Sequence, residues 1–490
     1  MNRSVAQGRP AHPGAVLDTN DRPDPTIARC LAITVGMLLV LVALAVYGLT
    51  YAERYYDHFV WQAAAFLEGQ AAIRYPVDAG DGLRGNGSFQ DVLPVATTDG
   101  VPRGLLPFPP LPAVVLLPFV ALWGLATNAQ AIFTVLAAID VAICWWAIGR
   151  LPVGPAVRLG TTIFFAFGTV FWYTAQLSTT WYQAHIVAVA LTFLAIGLAV
   201  GADPDAIADE AHATAPGRLA GRARGPFAID RHQFVVGLLF GLACTARLPI
   251  LGGAPFFAFV GSGGGWRRRA WSAGLGAALP VVALVLYDVA TTGQPVSPAY
   301  DHLYRLETAS YLTLGYHADW AIEDPRYILQ NLGLALFGMP DLLPSALPDS
   351  LAIAPIRVCL DAAGVRGLFD VACPLALPRD TGMSVILTSP AYLLALPAMA
   401  GFRRSRLVSG AVVAVVAIAL VDLMHFSQGW VQFGYRFSND AAPFALILVA
   451  LGFERLATRR RWGMLVAMTL VVVSLAINAW GVLWSRLLGW

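Results

Sequence analysis

The stretch LAITVGMLLVLVALAVYGLTY, Leu31 to Tyr51, decides the fold, and Tyr55-Tyr56-Asp57-His58 follows almost at once. About twenty apolar residues in a row rise far enough as a helix to cross the hydrocarbon core of a bilayer. The chain then turns polar for about fifty residues before it becomes apolar again. A carboxylate therefore leaves the membrane at Asp57, where a base could meet a lipid-borne substrate. The run after Arg29 is longer than a signal-peptide core, and Ala43-Leu44-Ala45 lies inside it rather than behind it. It reads as a retained anchor, preceded by a polar, disordered cytoplasmic tail over 1–28 that is rich in Pro, Asp and Arg.

The whole chain extends that reading. Of its 490 residues, 57% are hydrophobic and only 13% are charged, against about 25% charged in soluble domains. Such a composition belongs to an all-α polytopic membrane protein. No basic block with interleaved aromatics points to nucleic acid. The 14 Trp and 15 Tyr suit interfacial anchors and cavity walls, with membrane lipids as their partners.

Arginines gather in short connections: Arg150 and Arg158; Arg218, Arg222 and Arg224; Arg267 to Arg269; Arg403, Arg404 and Arg406; Arg459 to Arg461. Placing all five groups in the cytoplasm satisfies the positive-inside rule. It also keeps the Pro107–Pro112 segment and the apolar stretch to Gly124 outside, as a juxtamembrane helix. The expected spans lie near 31–51, 128–149, 159–177, 184–201, 233–246, 248–264, 270–291, 383–401, 407–425, 436–456 and 463–485. That makes about eleven, with the N-terminus inside and the C-terminus outside, in one transmembrane domain over 29–490 of a cell membrane protein. Two large outer loops result, about 52–127 and 292–382, the second with an interfacial helix around Tyr327–Met339. Residues 202–232 form a cytoplasmic linker. No internal repeat of the kind found in inverted-repeat transporters is present.

Cys359 and Cys373 fall in the second outer loop, where a bridge is plausible. Cys30, Cys144 and Cys244 sit in or beside apolar segments as packing residues. No His-x-x-x-His or Glu-x-x-His pattern occurs. Asp57 with a second loop acid could hold a divalent metal ion, and no cofactor is assigned.

The order of several patches resembles the GT-C superfamily of membrane glycosyltransferases. Asp57 after the first span resembles the family's catalytic acid. Asp99-Gly100-Val101-Pro102-Arg103, Pro109-Pro110-Leu111-Pro112 and Phe119–Gly124 resemble the loop and juxtamembrane helix that return to the membrane. Thr245-Ala246-Arg247-Leu248-Pro249, Thr292-Gly293-Gln294-Pro295 and Gly434-Tyr435-Arg436-Phe437 resemble patches of bacterial members. Many members carry a second nearby acid, whereas His58 follows Asp57 here. Asp78, Asp81, Asp91 and Asp99 are the alternatives. The resemblance implies a GT-C-like helical bundle and a polyprenyl-phosphate-linked sugar donor. The acceptor it implies is an envelope glycan, a lipid or a protein on the outer face.

Transfer of a sugar from a lipid phosphate needs a base for the acceptor hydroxyl, a charge partner for the departing phosphate and a dry pocket. Asp57 is the candidate base; direct displacement would invert the sugar carbon. Guanidinium matches phosphate with two donors and a permanent charge, which selects Arg247 and Arg436, then Arg103. His58, His185 and Tyr435 are candidate substrate contacts. Each has a plainer reading: a solvated Asp57, a surface His58, an Arg247 that snorkels to headgroups, and an Arg436 paired with Asp440 at i,i+4. Asp140, inside a span, requires a partner on a neighbouring helix. Asp422 and His425 are candidate pocket lining, and Tyr300, Asp301 and His302, which open the second loop, are candidates to close over substrate. The competing functions are a transporter or flippase of lipid-linked sugars and a ligase or polymerase of preassembled glycans.

Overall fold

Long apolar runs in a medium without water must satisfy every backbone N–H and C=O internally, so they fold as helices. The computed structural model describes residues 25–53, 57–74, 91–211, 227–310, 316–347, 356–360, 364–429 and 431–490, and 66% of the chain is helical. Residues 1–24 of the N-terminal tail, Tyr55, Tyr56, Asp78, Asp81 and residues 212–226 of the linker lie outside these residues.

The helices run in order as α1 (Pro25–Thr50), α2 (His58–Leu67), α3 (Leu111–Trp123), α4 (Ala129–Ile148), α5 (Pro155–Phe167), α6 (Phe171–Leu177), α7 (Thr180–Gly201), α8 (Pro204–Ala211) and α9 (Arg231–Cys244). They continue as α10 (Phe256–Phe259), α11 (Trp266–Thr292), α12 (Pro298–Ser310), α13 (Tyr327–Phe337), α14 (Val385–Thr388), α15 (Leu396–Met399), α16 (Arg406–Met424), α17 (Ser438–Arg459) and α18 (Gly463–Leu488). Among the described residues, seven are long and apolar enough to cross a membrane: α1 from Arg29, α4, α7, α11, α16, α17 and α18. An eighth arises if α5 and α6, bent by 49° at a short break, form one span. The break falls at Gly168-Thr169-Val170, a site of low helix propensity that sequence reading passed through as one straight span.

Three other expected spans are shorter than a crossing. Around 233–246 stands α9, of 14 residues. Across 248–264, Pro249 and the Gly252-Gly253 pair give a 3₁₀ turn at Leu248–Gly253 followed by α10. Near 383–401, Pro390 and Pro397 divide the chain into α14, a 3₁₀ turn at Pro390–Ala395 and α15. Proline removes a helical donor and crowds the preceding turn, so apolar composition alone does not make one long helix here. The 111–126 and 327–337 stretches are likewise short apolar helices.

Small residues let α9 and α11 touch backbone to backbone. A Cβ on Gly237 would lie 2.0 Å from the Ala273 carbonyl oxygen, and one on Gly276 would lie 2.1 Å from that of Phe234. This is the small-residue packing expected where no hydrophobic force separates helix from lipid. The rest of α11 shows its Leu279, Val282, Leu286 and Val289 side chains to the exterior.

Two groups of helix ends are thereby sorted. Gln130 at the start of α4 donates to the Leu177 carbonyl at the end of α6 and, at 2.7 Å, to that of Ala52 just after α1. Opposite them, Arg406 pairs with Asp203 at 3.1 Å, Glu454 accepts from the Gly154 amide at 2.7 Å, and Arg455 donates to the Ala398 carbonyl at 2.9 Å. Arginine-bearing connections thus collect at one end of the bundle and the candidate site at the other.

The long connections carry small sheets. Strands β1 (Ile73–Arg74), β2 (Leu93–Val95) and β3 (Arg103–Leu105) pair antiparallel in the order β1-β3-β2, with Arg74 opposite Arg103 and Val95 also opposite Arg103. Between α13 and α14, β4 (Asp341–Leu342) pairs with β5 (Ala376–Leu377). Cys359 and Cys373 form a disulfide there; Cys144 and Cys244 are buried, whereas Cys30 is exposed on α1 and is not a packing residue.

Candidate functional site

The first turn of α7 ties the site together. Its Thr180 Oγ1 lies 3.0 Å from His58 Nδ1, while His58 Nε2 lies 2.9 Å from Asp91 Oδ1. Trp181 and Phe108 flank the imidazole, with ring centroids 5.8 and 6.1 Å away. His58 is fully buried, which overturns its reading as a surface residue. Asp57 occupies the cap position before α2: its carbonyl accepts from the Val60 and Trp61 amides, but its carboxylate makes no cap hydrogen bond. Burial raises the Asp57 carboxyl above its usual range, opposed by the neighbouring His58, because a half-desolvated site disfavours the anion. The carboxyl is therefore left for something other than holding its helix.

One turn further along α7, His185 Nδ1 lies 2.9 Å from Asp440 Oδ1. Arg247, between α9 and the 3₁₀ turn, grips the same carboxylate: Nε is 3.2 Å from both oxygens and Nη2 is 2.5 Å from Oδ2. A fork of this kind compensates a buried carboxylate well. Asp422, at the end of α16, is buried beside this group. Tyr435 donates to its carbonyl at 3.5 Å.

Arg436 stands apart from that compensation. Asp440 is paired with Arg247 and His185, so the i,i+4 pairing suggested by spacing does not form. Arg436 has no ion pair among the described residues, and its buried Nε has no acceptor there. Its guanidinium sits over the rings of Phe437 and Tyr182, 5.2 and 5.7 Å from their centroids. The segment leading to it is pinned: Gln432 Oε1 accepts from the Arg436 amide at 3.1 Å, and Tyr182 donates to the Val431 carbonyl at 3.4 Å. Gly434 adopts φ +72°, and a Cβ there would strike Val170 at 2.3 Å, so only glycine permits this approach. His185 Nε2 is a second buried atom in the same neighbourhood with no partner among the described residues.

A cleft opens beside these groups. One wall is the Leu105–Pro109 segment, whose Phe108 also faces His58. The other comprises the end of α11 and the start of α12, including Tyr287, Asp288, Thr292 and Tyr300, with Leu248 beside Arg247. The cleft is thus bordered by Phe108, which contacts His58, and by Leu248, the chain neighbour of Arg247, while Asp57, His58, Arg247 and Arg436 themselves do not line it.

The remaining candidates lie elsewhere. Arg103, on β3, is held by Asp99 at 2.7 Å and belongs to neither network. The Val101 amide and then Arg103 keep the Asp99 carboxyl below its usual range, which leaves a poor base. Asp91 is committed to His58. Asp140 is buried, with one carboxylate oxygen lacking a partner among the described residues, so the expected interhelical bond to that oxygen is absent. His425 pairs with Glu323 at 2.8 Å. No cluster of three potential metal ligands occurs among the described residues. Sequence reading missed Asp288 altogether and gave Asp91 no distinct role. A carboxylate one turn before Thr292-Gly293-Gln294-Pro295, at the end of an apolar run, was the available signal for Asp288.

No family model, no curated protein and no solved structure matches the chain.

Proposed function

We propose that this protein is a membrane glycosyltransferase of the GT-C kind, moving a sugar from a polyprenyl-phosphate carrier to a hydroxyl acceptor at the outer face. The observation that carries the reading is that two polar groups without partners among the described residues, the Asp57 carboxylate and the Arg436 guanidinium, lie near the same end of α7. His58, next to the uncommitted Asp57 carboxylate, meets Thr180, and the unpaired Arg436 lies over Tyr182.

In this reading Asp57 accepts the proton of the acceptor hydroxyl. The acceptor oxygen forms a bond to the anomeric carbon as the bond from that carbon to the phosphate oxygen breaks, inverting the centre. The prenyl phosphate leaves with the electron pair, and Arg436 offsets its charge. Arg247 has the lesser claim on phosphate, because Asp440 already takes its donors. The positive-inside rule orients the bundle, with the arginine-rich end cytoplasmic and the site extracytoplasmic. The shorter helices α9, Leu248–Phe259 and Pro390–Met399 complete eleven crossings by packing in broken or tilted form.

Purified protein in proteoliposomes, supplied with prenyl-phosphate sugars and candidate acceptors, tests the proposal. Covalent transfer with inversion supports it. Movement of the lipid-linked sugar between leaflets without product would establish a flippase instead.

A further inference from the structure

Asp288 lies near the end of α11, where the helix is otherwise apolar and faces outward, and it lines the cleft. No ion pair or hydrogen bond reaches its carboxylate from the described residues. Bringing an ionised group against an apolar segment is costly, so an unpaired carboxylate in a cleft wall is a place where a ligand's donors are expected.

The surrounding chemistry narrows the ligand. Thr291 and Thr292 donate to the carbonyls of Tyr287 and Asp288, at 2.8 and 2.7 Å. With its proton engaged, the Thr291 oxygen faces a ligand as an acceptor. Phe108 offers an apolar ring on the opposite wall, while Tyr300 adds a phenol. A hydroxyl acceptor, a carboxylate and an aromatic ring suit a polyhydroxylated ring. No arginine or lysine lines the cleft, and a carboxylate repels phosphate, so phosphate belongs nearer Arg436. The way outward is apolar: Leu279, Val282, Leu286 and Val289 of α11 are exposed, a surface along which an isoprenoid chain can lie.

We infer that this cleft binds the sugar of the lipid-linked donor, and that Asp288 accepts hydrogen bonds from its hydroxyls as a specificity-determining residue. The inference rests on the glycosyltransferase reading and adds where the sugar sits and what reads it.

The test is binding by the full chain in lipid nanodiscs. Two probes are used, a short-chain prenyl phosphate bearing a neutral hexose and the same prenyl phosphate without sugar. Asp288→Asn keeps the side chain's shape and removes its charge. The expected result is an affinity about tenfold weaker for the sugar-bearing lipid, with affinity for the bare lipid unchanged. The unchanged arm also reports that the variant is folded. Equal affinity of wild type and variant for the sugar-bearing lipid overturns the inference, as does an equal loss for both lipids. A wild-type protein that binds neither lipid removes the underlying functional reading as well.

Discussion

Arg247 and Asp440 are 193 residues apart, yet three of their atom pairs lie within hydrogen-bonding distance. Arg436, four residues before Asp440, takes no part in that pairing. Long-range pairing thus displaces the local pairing that helical spacing offers. One arginine thus ties α17 to the end of α9, while the other has no ion pair among the described residues.

Asp440→Asn should destabilise the protein by about 3–5 kcal/mol, because it leaves the Arg247 charge in a buried setting without its counterion. Unfolding in detergent micelles measures this. Replacing both Arg247 and Asp440 by apolar residues should cost less than the sum of the two single changes. Additive losses would show that the pair does not act as a unit.

Arg436→Lys should raise the KM for a prenyl-phosphate sugar about tenfold while the fold survives. A lysine keeps the charge but loses the planar fork and the stacking on Tyr182 and Phe437. An unchanged KM would place phosphate binding elsewhere.

Asp91→Ala should lower kcat more than it raises KM. The change strands His58 with a lost partner, a penalty of about 1–3 kcal/mol, and loosens the link between α2 and Thr180 on which the position of Asp57 depends. A pure KM effect would contradict that positioning role. Steady-state kinetics at several donor concentrations separates the two.

The Asp57 carboxyl is raised by burial, so its base form appears only above that raised value. Activity should therefore fall, as the medium is acidified, at a higher pH than an ordinary aspartate near about 3.9 would give. The acid limb of the kcat/KM profile reports this directly. An acid limb at or below the ordinary range would contradict it.

Much of the helical layout was legible in the sequence, and the reasons are physical. Twenty apolar residues leave a helix as the only solution, so α1, α4, α7, α11 and α16 to α18 lie close to the expected ranges. Breaks were harder to read. Gly168 and the Pro249, Pro390 and Pro397 positions interrupt runs whose composition stays apolar, and hydropathy does not register a missing backbone bond. Arg247, Arg436 and His185 were singled out because the spans placed each near an outer helix end, and Tyr435 through the resemblance of its patch. What each of them touches was not. The choice of Asp440 by Arg247 is made by the packing of α9 against α7 and of the Leu248–Gly253 turn against α17, and no spacing rule spans that distance. Asp288 escaped notice because a single acid closing an apolar helix looks like a boundary residue until the Leu105–Pro109 segment faces it.

The central claim is that the uncommitted Asp57 carboxylate is the base of a sugar transfer. Single-turnover transfer from a prenyl-phosphate sugar by Asp57→Asn, in proteoliposomes containing folded protein, tests it most directly. The account predicts a rate lower by about a hundred- to ten-thousandfold, with donor binding retained. Transfer at the wild-type rate would contradict it.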